Sequence, residues 1–152
     1  MKKPKICAVA SAGGHLTQLL SLRSAWEGHE VVFVSTAEMV REKLAAMGKT
    51  YIVDECNREH PFKTLLVMGE CARIVLRERP DVVLSTGAAP GLLMCLWGKV
   101  FGARALWLDS IANTRSLSMS GRLARRFCDL VLSQWSEVAA RYPEVEYTGE
   151  VI

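Results

Sequence analysis

The amino-acid sequence predicts a doubly wound, Rossmann-like α/β fold, a parallel sheet with helices on both faces. Three observations carry this. Strand-like and helix-like segments alternate along the whole chain. The strand-like segments are short apolar, β-branched runs of the kind covered on both faces. The first of them runs straight into a glycine turn that opens a helix. With 152 residues, half of them hydrophobic and 23% charged, the chain is sized for one domain over residues 1–152 with a substantial core.

Residues 6–10 form the first strand. After Ser11-Ala12-Gly13-Gly14-His15 a helix is expected over 16–26, with Leu16, Leu19, Leu20, Leu22 and Trp26 on a broad apolar face and Thr17, Gln18, Ser21 and Ser24 opposite. Gly28 and His29 end it. Residues 30–35, a continuous Glu-Val-Val-Phe-Val-Ser run, make the second strand, and 37–47 a helix stopped by Gly48. A short third strand covers 50–53. Beyond a polar loop, 61–79 reads as a helix with proline in its first turn, Lys63, Glu70, Arg73 and Arg77 on one face, and Pro80 closing it. The fourth strand, 81–84, is followed by a helix over 90–101, and the fifth, 104–108, by a helix over 116–127. A sixth strand (130–133), a helix (136–142) before Pro143 and a last strand (145–147) complete the chain, with no internal repeat.

In such sheets ligands bind outside the carboxyl ends of the strands, where the winding reverses. A strand order of 3-2-1-4-5 brings three segments to one crevice: residues 11–15, Ser85-Thr86-Gly87-Ala88-Ala89-Pro90-Gly91, and 109–114. The Gly13-Gly14 pair lets a ligand approach helix-start amides, an arrangement that favours an anion.

Several function classes are excluded. The net charge of +3 falls short of a dedicated nucleic-acid binder. Met1-Lys2-Lys3-Pro4 leads straight into a strand, which does not resemble a secretory leader, so a cytoplasmic location is expected. Cys7, Cys56, Cys71, Cys95 and Cys128 are scattered without metal-ligand spacing and are expected as small buried hydrophobes, with no metal site. The longest uncharged run, 82–98, is shorter than the roughly 20 residues of a spanning helix and is broken by turn chemistry. The opening turn lacks the Gly-Lys-Ser/Thr of a Walker loop. It also lacks the G-x-G-x-x-G spacing of a dinucleotide site, whose ribose-binding acid has no counterpart in Ser35-Thr36. No Gly-x-Ser-x-Gly elbow occurs.

His15, in the first helical turn beside two glycines, has the position and chemistry to bond a phosphate or take a proton near neutral pH; the alternative is a bond to a neighbouring carbonyl. Asp109, at the end of the fifth strand, has the chemistry of a base or a sugar ligand; capping the turn that follows is its alternative. Arg115, Arg122, Arg125 and Arg126 fall in a stretch without acids, suited to a pyrophosphate or anionic lipid heads, or else to a solvated helix face. The helix over 90–101 has the composition of a buried helix or of an apolar face with basic edges, Lys99 among them, laid on a bilayer; most of it is expected in the core, with Trp97 and Phe101 the candidates for exposure.

Ser11-Ala12-Gly13-Gly14-His15, Ser85-Thr86-Gly87-Ala88-Ala89-Pro90-Gly91, Trp107-Leu108-Asp109-Ser110 and Ser116-Leu117-Ser118-Met119-Ser120-Gly121-Arg122, in that order over nearly the whole chain, resemble the asparagine-linked glycosylation protein 14-like family. Its members are acceptor-side, membrane-associated subunits of two-part glycosyltransferases, and include bacterial capsule and exopolysaccharide proteins. The chain is also similar to the N-terminal half of the enzyme that adds N-acetylglucosamine to lipid I, whose glycine turn likewise ends in histidine.

The resemblance implies the N-terminal half of a GT-B enzyme, with Tyr147-Thr148-Gly149-Glu150 similar to the last strand before the interdomain linker and a separate donor-binding chain, asparagine-linked glycosylation protein 13-like, completing the cleft. The activity it implies is transfer from a UDP-sugar to a polyprenyl-diphosphate-linked acceptor, without cofactor or metal, and without activity in the isolated chain. Ser11, Gly13, Gly14, Ser85, Thr86, Gly87, Ala88, Ala89 and Asn113 become the acceptor or diphosphate contacts. His15 or Asp109 becomes the base, and Trp97, Lys99, Arg115, Arg122, Arg125 and Arg126 the membrane or lipid-phosphate contacts. Two departures stand out. The N-terminal anchor of the eukaryotic members has no counterpart here, which implies peripheral or partner-dependent attachment to the inner membrane face, and position 109 is Asp where Glu before Ser is common. A noncatalytic membrane adaptor that recruits a complete enzyme is the alternative.

Overall fold

A computed structural model describes residues 2–151; Met1 and Ile152, the two ends of the expected domain, lie outside the described residues. Seven strands form one parallel sheet: β1 (Lys5–Val9), β2 (Glu30–Ser35), β3 (Lys49–Ile52), β4 (Val82–Ser85), β5 (Arg104–Leu108), β6 (Leu130–Ser133) and β7 (Val145–Tyr147), in the order β3-β2-β1-β4-β5-β6-β7. The expected order is present and extends by two strands. Winding runs outward from β1 in one direction and then from β4 in the other. Right-handed crossovers therefore put the early helices on one face and the later ones on the opposite face.

The two faces have separate cores, as the two-residue period of a strand requires. Ala8, Ala10, Val31 and Phe33 pack against Leu16 and Leu19 of α1 (Gly14–Ser21) and Leu44 of α2 (Arg41–Ala45), with Trp26 edge-on to Phe33. Cys7, Val9, Val34, Val83, Ala105 and Trp107 face the other way. They meet α3 (Pro61–Glu78), α4 (Ala89–Val100), α5 (Met119–Ala124) and α6 (Ser136–Ala139).

Four expected helices are shorter than the periodicity suggests. The first tightens after Ser21 into a 3-10 turn over Arg23–Trp26, where the Leu22 amide bonds to Leu19 O three residues back. The second breaks into a 3-10 turn, Glu38–Val40, and the short α2, which has only Leu44 to bury. The fifth begins at Met119 rather than 116, because Ser118 caps it by accepting from the Gly121 amide at 2.8 Å. The sixth covers only Ser136–Ala139.

Parallel register levels the carboxyl ends of the central strands. Val9 lies opposite Val34 and Ser85, and Ser85 opposite Trp107, so the turns after β1, β4 and β5 gather at one edge. At the other end, buried Glu78 accepts from Lys5 Nζ at 2.8 Å, Lys49 Nζ at 2.6 Å and the Tyr51 hydroxyl, tying α3 to β1 and β3. Among the described residues no helix is long and apolar enough to cross a membrane.

Candidate functional site

The turn after β1 is open to solvent. Gly13, the residue that caps α1, has φ +96°, no side chain caps the helix, and a Cβ at Gly13 or Gly14 would meet nothing within 4 Å. The first amides of α1 therefore face accessible space with the positive end of the helix behind them. Ser11 Oγ in the same turn is buried without a hydrogen-bond partner among the described residues, leaving a polar atom at the crevice wall unpaired. Ser35 Oγ, at the end of β2, is in the same condition.

The turn after β4 is built against the first. Buried Thr86 donates its hydroxyl to His15 O at 2.6 Å and its amide to Val9 O at 3.3 Å. Ser85 Oγ accepts from the Gly87 amide at 3.2 Å. Gly87, at φ +142°, lies beneath the His15 ring: a Cβ there would come within 2.6 Å of Nε2. Ala88 follows at φ +73°, ψ 166°, a conformation that side chains other than glycine rarely adopt and that costs on the order of 1–3 kcal/mol. The strain lies at the start of α4, where the backbone turns toward the crevice. The imidazole itself is half-buried, and none of the described residues hydrogen-bonds to it.

Asp109 lies in a different environment. Its carboxylate, on a residue only 2% exposed, accepts from Trp107 Nε1 at 3.0 Å, Ser118 Oγ at 2.6 Å, the Ser118 amide at 2.8 Å and Asn113 Nδ2 at 3.2 Å. Gly121 packs on it so closely that a Cβ would meet Oδ1 at 2.6 Å. Four donors occupy the two oxygens and tie the 110–118 loop to Asp109, while Ser110 Oγ accepts from the Ala112 amide within the turn that follows. Asn113 is drawn into the same knot.

Sequence reasoning missed two glutamines. Gln18, expected on the polar face of the first helix, is buried. Its Oε1 accepts from the Ile111 amide at 3.1 Å and from Gln134 Nε2 at 2.5 Å. Gln134 also donates to Asp109 O at 3.0 Å and accepts from the Val151 amide at 2.7 Å. This pair joins α1, the loop after β5 and the end of β6. The signal was a lone amide on a helix whose outer face is then covered by a loop about ninety residues further on, a contact without local trace in the sequence.

The expected membrane contacts divide. Trp97 is half-buried, stacks on Phe101 at 5.7 Å and donates to Met68 O at 3.0 Å. Lys99 pairs with Asp129, and Arg125 pairs with Glu144 beneath a cation-π contact to Tyr142 at 5.1 Å. These three serve intramolecular contacts. Arg115, Arg122 and Arg126 are exposed.

Residues 6–151 match the family model described as "Oligosaccharide biosynthesis protein Alg14 like". The mouse UDP-N-acetylglucosamine transferase subunit ALG14 is 24% identical over 180 residues, covering 97% of this chain and 83% of that protein; the human protein of the same name is 25% identical, covering 97% and 82%. Among solved structures, Acinetobacter baumannii MurG superposes with a TM-score of 0.79 at 17% identity, covering 96% of this chain and 46% of that one. The UDP-GlcNAc 2-epimerase of Methanocaldococcus jannaschii gives 0.73 at 12% identity, with 96% and 45% covered. The chain thus spans about half the length of the solved structures it resembles, and the likeness gives it the Rossmann-like fold of one half of a GT-B enzyme. With a family match from the first strand to Val151 and relatives matched over most of both lengths, this chain belongs to the Alg14-like family of oligosaccharide biosynthesis proteins.

Proposed function

We propose that this chain is the acceptor-side subunit of a two-part glycosyltransferase that uses a UDP-sugar, UDP-N-acetylglucosamine by the names of its relatives. It binds a polyprenyl-diphosphate-linked sugar at the inner membrane face and works with a donor-binding chain, asparagine-linked glycosylation protein 13-like. Its relatives are named as subunits of a UDP-N-acetylglucosamine transferase, which supports a second chain.

The observation that carries the reading is the His15–Gly87 contact. The turn after β1 presents helix-start amides to open space and a buried hydroxyl without a partner among the described residues, and its His15 imidazole, which none of those residues hydrogen-bonds, lies against Gly87 of the turn after β4. His15 takes the proton of the acceptor hydroxyl as its oxygen attacks the anomeric carbon of the donor sugar. The bond from that carbon to the UDP oxygen breaks, UDP leaves with the electron pair, and the proton passes from His15 to solvent. The amides around Gly13 and Gly14, with Ser11, bind the acceptor diphosphate, and Thr86 keeps the two turns in register. Asp109 acts on this site only by holding the adjacent loop.

The test is transfer by the chain alone, by the donor-binding chain alone and by both, with a lipid-linked acceptor and UDP-N-acetylglucosamine. Turnover that requires both supports the reading. Full turnover by the donor-binding chain alone would favour the membrane-adaptor alternative.

A further inference from the structure

Beside the crevice, at the carboxyl edge of the sheet, one carboxylate is held in place without a partner of opposite charge. Thr36, just beyond β2, lies next to the glycine turn: its Oγ1 accepts from the Ala12 amide at 3.1 Å and donates to Glu55 Oε1 at 3.0 Å. An amide, a hydroxyl and a carboxylate thus form one chain of hydrogen bonds, each polarising the next, from the turn after β1 to the loop after β3. Glu55 is exposed, its Oε2 accepts from none of the described residues, and no lysine or arginine among them pairs with it.

The loop is held on both sides without this bond. Where it begins, the Val53 amide donates to Ser35 O at 2.9 Å; where it ends, Thr64 Oγ1 donates to Asn57 O at 2.9 Å and the Glu59 amide to Asn57 Oδ1 at 3.0 Å. Nor does Glu55 suit the anion that the turn attracts, because a carboxylate repels a diphosphate. An ionised carboxylate accepts and does not donate, so its fitting partner is a neutral donor, a hydroxyl or an amide N–H, standing beside the anion. A sugar joined to the diphosphate brings such donors within one ring of the phosphates. Neighbouring Asp54 is also exposed but has no Thr36 to orient it, so placement and not charge alone sets Glu55 apart.

We infer that Glu55, oriented by Thr36, is a specificity residue for the acceptor: it accepts a hydrogen bond from a hydroxyl or acetamido N–H of the sugar joined to the diphosphate. The inference rests on the acceptor site proposed above and names the group that distinguishes a sugar-bearing lipid diphosphate from a bare one.

Calorimetric titration of the purified chain with farnesyl diphosphate, and with the same diphosphate carrying glucose or N-acetylglucosamine, is the test. The expected result is tighter binding of at least one sugar-bearing probe than of the bare one. That advantage should fall about tenfold or more in Glu55→Ala, be partly restored in Glu55→Gln and be unchanged in Asp54→Asn. Thermal unfolding should stay at the wild-type value in all three, and binding of the bare probe should not weaken. In the two-chain complex Glu55→Ala should raise KM for the sugar-bearing acceptor and leave kcat in place. No advantage for either sugar in the wild-type chain, an advantage that survives Glu55→Ala, or an equal weakening of bare and sugar-bearing probes would overturn it, the last by making Glu55 a pin for its loop. A Glu55-dependent sugar advantage without transfer by the two-chain complex defeats only the transferase reading, and transfer with no such advantage defeats only this one.

Discussion

Gly87 lies directly beneath the imidazole of His15, close enough that a Cβ at position 87 would come within 2.6 Å of Nε2. The two residues are 72 positions apart and belong to different turns, held together by the Thr86 hydroxyl on His15 O. A side chain at 87 would push the ring out of the crevice and would also have to accept φ +142°. Gly87→Ala is expected to lower turnover of the two-chain complex by about tenfold or more while costing about 1–2 kcal/mol of stability. Activity assay and thermal unfolding of the same preparation check it; undiminished turnover would mean that the position of the ring does not matter.

Asp109 should behave as a structural carboxylate. Removing it in Asp109→Ala leaves the Trp107 indole, the Ser118 amide and hydroxyl, and the Asn113 amide without their acceptor in a buried place. The expected cost is about 2–4 kcal/mol in urea unfolding of the isolated chain. A variant of wild-type stability that nonetheless fails in transfer would return Asp109 to the reacting groups.

Gln18 and Gln134 form one unit. Gln18→Leu strands the Ile111 amide, and Gln134→Leu strands Asp109 O and the Val151 amide. Each change is expected to cost about 1–3 kcal/mol, with the double variant costing less than the sum because the bond between the two amides is lost only once. A double-mutant cycle by chemical denaturation measures the coupling.

Acid stability should depend on Glu78. Burial alone would raise its pKa, but hydrogen bonds from Lys49, Lys5 and Tyr51 outweigh burial and bring it from 4.5 down to about 2. A carboxylate depressed in the folded state adds stability that is fully present above the unfolded value and is lost as pH falls from about 4.5 toward 2. The contribution at neutral pH is about 2–3 kcal/mol. Glu78→Gln should therefore be less stable than wild type at pH 7 and approach it near pH 2. Parallel stability curves over that range would contradict the assignment.

The fold was legible because its signals are local. Each strand is a short apolar run, the glycines and prolines punctuate at the turns, and the two-residue period of β1 and β2 separates the two cores. The crevice followed from strand order alone, so residues 11–15 and 85–91 could be singled out together. What stayed hidden depends on contacts distant in sequence. Asp109 reads as a crevice carboxylate until Ser118 arrives nine residues later, and the same Ser118 cap shortens the helix expected from 116. Gln18 reads as solvent-facing until Gln134 covers it. On α3, charged residues interleave with Phe62, Leu65 and Leu66, so the periodicity reveals the face that the sheet buries and conceals the exposed apolar one.

The central claim is tested most directly by transfer from UDP-N-acetylglucosamine to a polyprenyl-diphosphate-linked sugar, comparing wild type with His15→Ala in the presence and absence of the donor-binding chain. The account predicts no turnover by either chain alone, robust turnover by the pair, and a fall of about a hundredfold or more in His15→Ala with its folding intact. Turnover by this chain alone, or wild-type turnover by the His15→Ala complex, would contradict it.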